Sequence, residues 1–357
     1  MSAGAAPAFR GSMPRSTAEL AAWHGTAPQV AAIEPDLPIV DAHHHLFGTA
    51  QDRVHYRRED LQTDLGGGHR VIGTVYVEAY HAGWRSTGPE ALRPVGEVET
   101  IVALAREPLA TPRGPCQLAA GIVAHADMTL GDDVVSVLDA HAQAAEGRLR
   151  GIRHCTATDS GTVGRFIAKP PAPEMLRLPA FRKACGAVGR QGLSLDVWAY
   201  HHQLGEVIEL ADACPQTPIV LDHVGGVIGV AEHAERKADV LSGWRLHLRE
   251  LARRPNVHVK LGGLGMTVFG FGFEHREVPP TGEDLAQAWQ PYIMSCIEAF
   301  GPDRCLFESN FPVDKQSCSY TAQWNAYKLA TRSLTAGERD LLFRGSACRV
   351  YRLDLPA

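Results

Sequence analysis

Short apolar runs that alternate with amphipathic segments limit the folds open to this chain. Eight runs rich in β-branched residues follow residue 38, and most of them are apolar throughout rather than at every second position. Such runs are typical of strands that are covered on both faces in a parallel sheet. The predicted strands span residues 39–41, 71–78, 118–124, 149–154, 193–200, 218–223, 257–261 and 305–308.

The segments between these runs carry apolar side chains at the spacing of one helix face. Thr281 followed by Asp284 is a variant of the capping box that begins a helix, and Gly301-Pro302 ends the same segment. Eight strand–helix units in one chain predict an α/β fold, a (β/α)8 TIM barrel. A doubly wound open sheet is the alternative, but no GxGxxG turn follows a predicted strand. Two of the helical stripes are Val134, Val137, Leu138 and His141, and Val240, Trp244, Leu248 and Leu251.

The length of the chain limits the number of domains, and its charge limits the classes of partner that it can bind. The chain has 357 residues, a length that such barrels reach as single domains. We expect residues 1–37, rich in Ala, Pro, Gly and Ser, to form a flexible N-terminal extension with one short helix over 17–24, and residues 38–357 to form the barrel. The net charge of −5 comes without a basic stripe. A small-molecule substrate is therefore expected, with neither nucleic acid nor a membrane as partner. Assembly into a homo-oligomer stays open.

The spacing of the cysteines and the composition of the first residues indicate the cellular compartment of the protein. Eight cysteines are scattered along the chain without CxxC spacing, several of them within apolar or helical patterns. This distribution is typical of reduced core thiols rather than a disulfide framework. The first residues lack the continuous apolar segment of a secretory signal, and no run is long enough to span a membrane. We therefore expect a cytoplasmic protein.

Polar side chains stand where most predicted strands end, at the face where barrels carry their chemistry. His43 and His45 lie two residues apart on the first strand, so they share one face and offer half of a metal site. We expect the side chains of seven strand ends to converge on one site. They are His43, His45, Glu78, Arg153, His154, Tyr200, His201, Asp222, His223, Lys260, Glu308 and Asn310.

These motifs resemble the amidohydrolase superfamily, and residues 38–353 resemble its amidohydrolase-2 (amidohydrolase-related) family, in particular the lactonase-like branch. The matching pieces are Val40-Asp41-Ala42-His43-His44-His45, Arg150-Gly151-Ile152-Arg153-His154, Tyr200-His201-His202-Gln203-Leu204, Val220-Leu221-Asp222-His223-Val224-Gly225 and Phe307-Glu308-Ser309-Asn310-Phe311-Pro312-Val313.

The resemblance implies a hydrolase that opens lactones or related cyclic esters. It implies that His43, His45 and His201 match the imidazole ligands of one divalent metal, usually zinc, although some lactonases of the family work without metal. His223 matches the acid/base histidine, and Asn310 stands where most of the superfamily has an Asp that ligates the metal and accepts a proton from water. A carboxamide is uncharged and has no basic site near neutral pH, so Asn310 can only orient a water or offer a weak ligand.

Another carboxylate is therefore needed as the base. Glu78 is the first candidate because it ends a strand next to the His43–His45 pair, and Glu308 is the second because it shares strand parity with Asn310. Alternatively, Glu78 fixes a histidine tautomer from outside the site. Arg153, His154 and Lys260 are expected to form a cationic rim for a carboxylate or sugar-acid substrate, with Tyr200 as a further substrate contact.

Two other functions stay open. The first is a metal-dependent non-oxidative decarboxylase on the same scaffold, which would release carbon dioxide. The second is a barrel that binds a ligand without catalysis, suggested by the missing Asp. The glycine-rich stretch 262–272, with Phe269, Phe271 and Phe273 in or just after it, is predicted to be either a mobile lid or a packed loop.

Overall fold

Eight parallel strands form a nearly closed barrel in the computed structural model of the protein, which describes residues 9–79, 82–167 and 169–355. Successive strands along the chain are neighbours in the barrel, and a short hairpin strand lies outside it. The (β/α)8 barrel predicted from the apolar runs is thus confirmed. The strands are β1 (Ile39–His44), β2 (Val71–Val77), β3 (Leu109–Thr111), β4 (Gly114–His125), β5 (Leu149–Arg153), β6 (Ser194–Val197), β7 (Ile219–Leu221), β8 (Val257–Leu261) and β9 (Cys305–Phe307).

The predicted helical stripes are buried, apart from Val240, which is half-buried. Val134, Val137, Leu138 and His141 form the buried face of their helix, and Thr281 caps another helix by accepting a hydrogen bond from the backbone N–H of Asp284. The helices are α1 (Thr17–His24), α2 (Arg58–Leu65), α3 (Val95–Leu104), α4 (Val134–Ala144), α5 (Pro179–Arg190), α6 (Leu204–Ala213), α7 (Lys237–Leu251), α8 (Gly282–Phe300), α9 (Tyr320–Ala330), α10 (Ala336–Asp340) and α11 (Ser346–Val350).

The barrel closes between its last and first strands. His44 bridges to Phe311 in parallel register. Backbone bonds from Asn310 N to the His43 carbonyl (2.8 Å) and from His45 N to the Phe311 carbonyl (2.8 Å) complete the seam. This seam places the residues that follow β9 directly beside the histidines that end β1.

The third barrel strand is longer than predicted. Apolar residues 118–124 indicate its centre, but β4 runs from Gly114 to His125 because its first residues pair antiparallel with β3. The extension at the other end adds His125 to the residues at the C-terminal face of the barrel, where strand ends carry chemistry.

The barrel interior changes from apolar to ionic along its axis. Val220 and Leu306 belong to a buried cluster that α11 covers at one end with Ala347 and Val350. Two residues further along the same strands come Asp222 and Glu308, both fully buried. Because alternate residues of a strand share a face, these carboxylates also point inward. The ionic half of the interior is the candidate site.

The described part of the N-terminal extension packs on the barrel. Helix α1, predicted over 17–24, begins after Ser16 and is fixed by a capping box with Glu19. The indole of Trp23 donates to the Arg276 carbonyl (2.9 Å), and the backbone N–H of Ile33 donates to the side chain of Asn325 (2.7 Å). The division into an extension and a barrel stays a prediction.

The structure also shows whether the cysteines are paired and whether a described helix could cross a membrane. All eight cysteines are free thiols, six of them buried, as predicted for core thiols. No helix in the ranges that the structure describes combines the length and the apolar character needed to cross a bilayer.

Candidate active site

The two histidines of β1 meet at their Nε2 atoms. These atoms lie 3.2 Å apart, and both side chains are buried. His45 donates from Nδ1 to the Val77 carbonyl (2.9 Å), so its Nε2 carries a lone pair. Burial, followed by the nearby Lys260 ammonium, lowers the pKa of His43 to about 4. His43 is therefore neutral near pH 7, so one of its two ring nitrogens is unprotonated.

Glu308 links His43 to His223. One carboxylate oxygen lies 2.9 Å from His43 Nδ1, and the other lies 2.7 Å from His223 Nδ1. Burial would raise the pKa of Glu308, but the adjacent imidazoles of His223 and His43 outweigh it and lower that pKa. The ionised carboxylate accepts a hydrogen bond from His223 Nδ1 through Oε1, which leaves Nε2 of that ring on the far side from Glu308, while Oε2 lies within ion-pair distance of His43 Nδ1.

A tight turn after β7 presents His223. The residue has φ +55° and is followed by Val224 at +49°, a left-handed conformation that is strained for side chains other than glycine. Gly263, after β8, makes room for the ring, because a Cβ there would lie 2.4 Å from His223 Cβ. The edge of Trp198 covers the His223 ring at 4.7 Å between ring centroids.

Arg153 at the end of β5 is held by two carboxylates. Its Nε donates to Glu78 Oε1 (2.7 Å), Nη2 to the Glu78 carbonyl (2.7 Å) and Nη1 to Asp222 Oδ2 (3.3 Å). The same Nη1 lies 3.3 Å from His43 Nε2. Glu78 therefore pairs with Arg153, whereas Glu308 contacts both imidazoles. This geometry favours Glu308 over Glu78 as the carboxylate that acts with the histidines.

Lys260 lies inside the barrel rather than at its rim. The side chain is fully buried, and its ammonium lies 2.7 Å from Asp196, 3.0 Å from Asp222 and 3.1 Å from His43 Nδ1. Tyr351 donates to the same Asp196 oxygen (2.7 Å). His43 Nδ1 cannot accept from Lys260 while donating to Glu308. The hydrogen-bond geometry is that of Lys260 donating to His43 Nδ1, and the 2.9 Å approach of Glu308 Oε2 is an ion-pair contact. A rim formed by Lys260 together with Arg153 and His154 was expected, and the burial of Lys260 corrects that expectation.

The donor set at the β1 histidines fits a divalent cation. With the proton of each ring on Nδ1, as metal binding would require, the two Nε2 lone pairs would lie 3.2 Å apart, close to the ~3.3 Å expected for two nitrogens on one tetrahedral zinc. Arg153 Nη1, which lies 3.3 Å from His43 Nε2, would have to give way to the ion. The surrounding charge is also suitable, because Glu78, Asp196, Asp222 and Glu308 outnumber the cations Arg153 and Lys260. A group formed by His43, Asp222 and His223 also has its ligating atoms within 4.8 Å, but Lys260 already supplies a positive charge between His43 and Asp222.

Asn310 turns toward a carboxyl group. Its φ is +54°, and its amide Nδ2 donates to Asp314 Oδ1 (2.7 Å). Asp314 also accepts from the backbone N–H of Gly265 (2.9 Å), and burial raises its pKa well above the ordinary value. The position at which the resemblance implied an Asp thus provides an amide hydrogen-bonded to Asp314. A catalytic role for Asn310 stays a prediction.

The histidine after β6 lies among other loop residues. The His201 ring contacts the rings of His202 (5.2 Å) and His233 (5.4 Å). Its Nδ1 accepts from the Ile228 backbone N–H (3.3 Å), so the neutral ring carries its proton on Nε2. Neither nitrogen of the ring then offers an unshared lone pair to a metal, and the role of His201 as a ligand stays a prediction.

The other residues predicted to contact the substrate, His154 and Tyr200, lie at different places near the strand ends. His154 Nδ1 accepts from Met128 N (3.2 Å), and its ring contacts His125 at 5.3 Å. Tyr200 is buried between Trp198 and His202. Their contact with substrate stays a prediction.

Sequence analysis did not select two residues near the site. His125 ends β4, with its Nδ1 4.0 Å from Glu78, and Trp84 lies against its ring at 5.1 Å. Glu97 accepts from the Trp84 indole (2.9 Å) and from the Tyr76 hydroxyl (2.7 Å), which fixes Trp84. His125 directly follows a predicted strand, and that position was the available signal.

The glycine-rich loop after β8 is packed in this structure. Phe269 and Phe273 are buried, and Phe271 stacks between them at 6.1 and 5.7 Å. Of the two predicted states, the packed loop is the one observed.

Comparison with known proteins assigns this barrel and its cluster of inward histidines to a family. A family model described as Amidohydrolase matches residues 40–353, and this chain belongs to that family. A full-length relative is the uncharacterized protein y4mH of Sinorhizobium fredii, 31% identical over 332 residues, which are 89% of this chain and 99% of that protein.

A lactonase and a solved structure are also similar. L-fucono-1,5-lactonase of Burkholderia multivorans is 31% identical over 211 residues, which are 59% of this chain and 65% of the lactonase, just under two thirds of its length. The crystal structure of a Burkholderia multivorans amidohydrolase with bound zinc has a TM-score of 0.64 and 23% identity, and the match covers 88% of this chain and 99% of that one. The structural likeness confirms the fold.

Proposed function

We propose that this protein is a hydrolase that opens a lactone or a related cyclic ester. The observation that carries the proposal is the Glu308 carboxylate shared by His43 and His223, with contacts of 2.9 and 2.7 Å. The Nδ1 hydrogen bond to Glu308 orients the His223 ring in a buried site and leaves its Nε2 to exchange a proton, as general acid–base catalysis requires. The partial similarity to L-fucono-1,5-lactonases supports the choice of a lactone.

His223 acts as the acid/base group. Its Nδ1 donates to Glu308, and Nε2 takes a proton from the attacking water. The water oxygen bonds to the carbonyl carbon, the ring C–O bond breaks, and the proton passes from His223 to the leaving alkoxide. The product is a hydroxy acid. Glu308 stabilises the imidazolium that forms between the two proton transfers, as a buried carboxylate does for its partner histidine.

Arg153 stabilises the oxygen that gains charge at the carbonyl. Its Nη1 lies 3.3 Å from His43 Nε2, whereas Lys260 contacts Nδ1 on the other side of the ring. Its guanidinium is already fixed by Glu78 and Asp222, so it needs little rearrangement during the reaction. His154 and Tyr200 are the proposed contacts for the remainder of the substrate.

His43 and His45 would hold one divalent ion, with zinc the first choice for two imidazole ligands. His201 is the proposed third ligand if its Nδ1 gives up the hydrogen bond from the Ile228 backbone. When bound, the ion would supply Lewis-acid polarisation and lower the pKa of water toward neutrality. The bound zinc in the similar Burkholderia multivorans structure supports this choice.

Product analysis in oxygen-18-labelled water tests the proposal. The protein is incubated with a panel of sugar-acid and aromatic-pathway lactones, with and without added zinc. We expect one lactone to yield a hydroxy acid that carries a single labelled oxygen in its carboxylate, and we expect His223→Gln to abolish this. Release of carbon dioxide from a carboxylic acid panel, with every lactone left intact, would instead indicate a decarboxylase. Tight binding of a panel member without turnover would indicate a ligand-binding barrel.

A further inference from the structure

A second group of ligating side chains lies on two loops at the C-terminal face of the barrel. Asp159 belongs to the loop after β5, and Glu232 and His233 belong to the loop after β7. Asp159 Oδ1 lies 3.3 Å from His233 Nε2, and one ligating atom from each of the three residues lies within 4.8 Å of the others. We propose that these residues form a divalent-cation site that joins the two loops.

Each carboxylate is oriented by backbone donors. Asp159 Oδ2 accepts from the N–H groups of Gly161 (2.9 Å) and Gly164 (3.4 Å), which leaves Oδ1 facing His233. Glu232 Oε1 accepts from the N–H of Thr162 (2.7 Å). Ligands held in this way lose little conformational freedom when an ion binds, which favours affinity.

Two glycines allow the loop to approach these carboxylates. A Cβ on Gly161 would lie 1.5 Å from Glu232 Oε1, and a Cβ on Gly164 would lie 1.8 Å from the carbonyl oxygen of Asp159. The loop from 159 to 164 can therefore approach Glu232 this closely because positions 161 and 164 are glycines. Asp159 is itself largely buried, with a side-chain exposure of 5%.

The donor set selects the class of ion. One imidazole and two carboxylates suit Zn²⁺, Mn²⁺ or Co²⁺ better than Ca²⁺ or Mg²⁺, which prefer oxygen ligands alone. His202 stacks on His233 with an interplanar angle of 13°, and its Nε2 donates to the Thr158 carbonyl (3.0 Å). The stacked ring of His202 limits the orientations open to the His233 ring.

Zinc content compared between matched variants tests the site. Parent, Asp159→Asn, His233→Gln and Glu232→Gln proteins are equilibrated with Zn²⁺ and analysed for metal, with His247→Gln on α7 as the control histidine. We expect the Asp159 and His233 variants each to bind one equivalent less than the parent, whatever the occupancy of the His43–His45 pair, and the control to match the parent. Zinc should raise Tm more in the parent than in His233→Gln.

Equal zinc content in the parent, Asp159→Asn and His233→Gln would overturn the site and leave a simple Asp159–His233 hydrogen bond. Circular dichroism shows whether a variant has folded, and if one has not, the Glu232→Gln comparison decides in the same way. Since the readout is bound metal at residues outside the proposed catalytic group, this result is separate from success or failure on lactones.

Discussion

Gly263 faces His223 so closely that a Cβ on the glycine would lie 2.4 Å from the Cβ of the histidine. The position of the proposed acid/base group therefore depends on a residue without a side chain on the neighbouring strand end.

Gly263→Ala should displace His223. Gly263 has φ +66°, so Ala also meets backbone strain of about 1–2 kcal/mol. Because a shift of ~1 Å in a catalytic group can cost about a hundredfold in rate, we expect kcat to fall by at least about tenfold. Gly192→Ala is the control, since Gly192 has φ +70° and open space around a Cβ. It should lose similar stability and keep full activity. Equal activity in both variants would contradict the packing argument.

Lys260→Met should lower the free energy of unfolding strongly. The substitution leaves Asp196 and Asp222 without their ammonium partner in a fully buried site. Removing one partner of such a buried pair typically costs about 3–5 kcal/mol. Urea denaturation measures the change, with Lys183→Met as a solvent-exposed control that should have little effect. A Lys260→Met protein as stable as the parent would show that Asp196 and Asp222 are protonated or have other partners that compensate their charge.

Asn310→Asp should not restore a family-like metal ligand. In this fold the side chain would meet Asp314, whose nearer oxygen now accepts from the Asn310 amide at 2.7 Å. Two carboxyls at that distance repel once both are ionised, so the variant should be less stable than the parent at alkaline pH, above the raised pKa of Asp314. The deficit should shrink as pH falls through that raised pKa, because a shared proton relieves the repulsion. Thermal unfolding measured on both sides of that pKa would show a constant deficit if the side chains moved apart.

His141 should make the protein sensitive to acid. Burial lowers its pKa to about 4, against 6.5 for the ordinary group, and Nε2 donates to the His125 carbonyl (2.8 Å). As pH falls below about 6.5 the unfolded chain takes up a proton that the folded protein binds only near pH 4. Stability is therefore lost across this window, by up to about 3 kcal/mol. His141→Gln lacks this titration, so its deficit relative to the parent should narrow between about pH 7.5 and about pH 5 in urea denaturation. A deficit that stays constant would mean that His141 titrates normally.

The sequence was sufficient to predict the barrel because parallel strands buried on both faces must be apolar throughout. It also predicted that His43, His223 and Glu308 stand at strand ends. It ranked Glu78 ahead of Glu308 as the carboxylate that acts with the histidines, because strand order alone did not show that Glu78 pairs with Arg153. It also could not show that a left-handed turn at Asn310 directs its amide to Asp314.

The placement of Lys260 could not be predicted for a different reason. A lysine near a strand end is expected to reach solvent, because burying an unpaired ammonium is costly. Here Asp196 and Asp222 come from two other strands and compensate for its burial, and their proximity depends on the registers of β6, β7 and β8. His125 was missed because β4 extends beyond its apolar centre.

The rate of lactone hydrolysis by Glu308→Gln tests the central claim most directly. An amide at this position carries no charge, so it cannot stabilise the imidazolium of His223 that forms during the reaction. For the best lactone of the panel, we predict that kcat falls by about 10²–10⁴-fold while circular dichroism remains that of the parent. A folded Glu308→Gln protein with the parent's kcat would contradict the assignment of Glu308 and His223 as the acid/base pair.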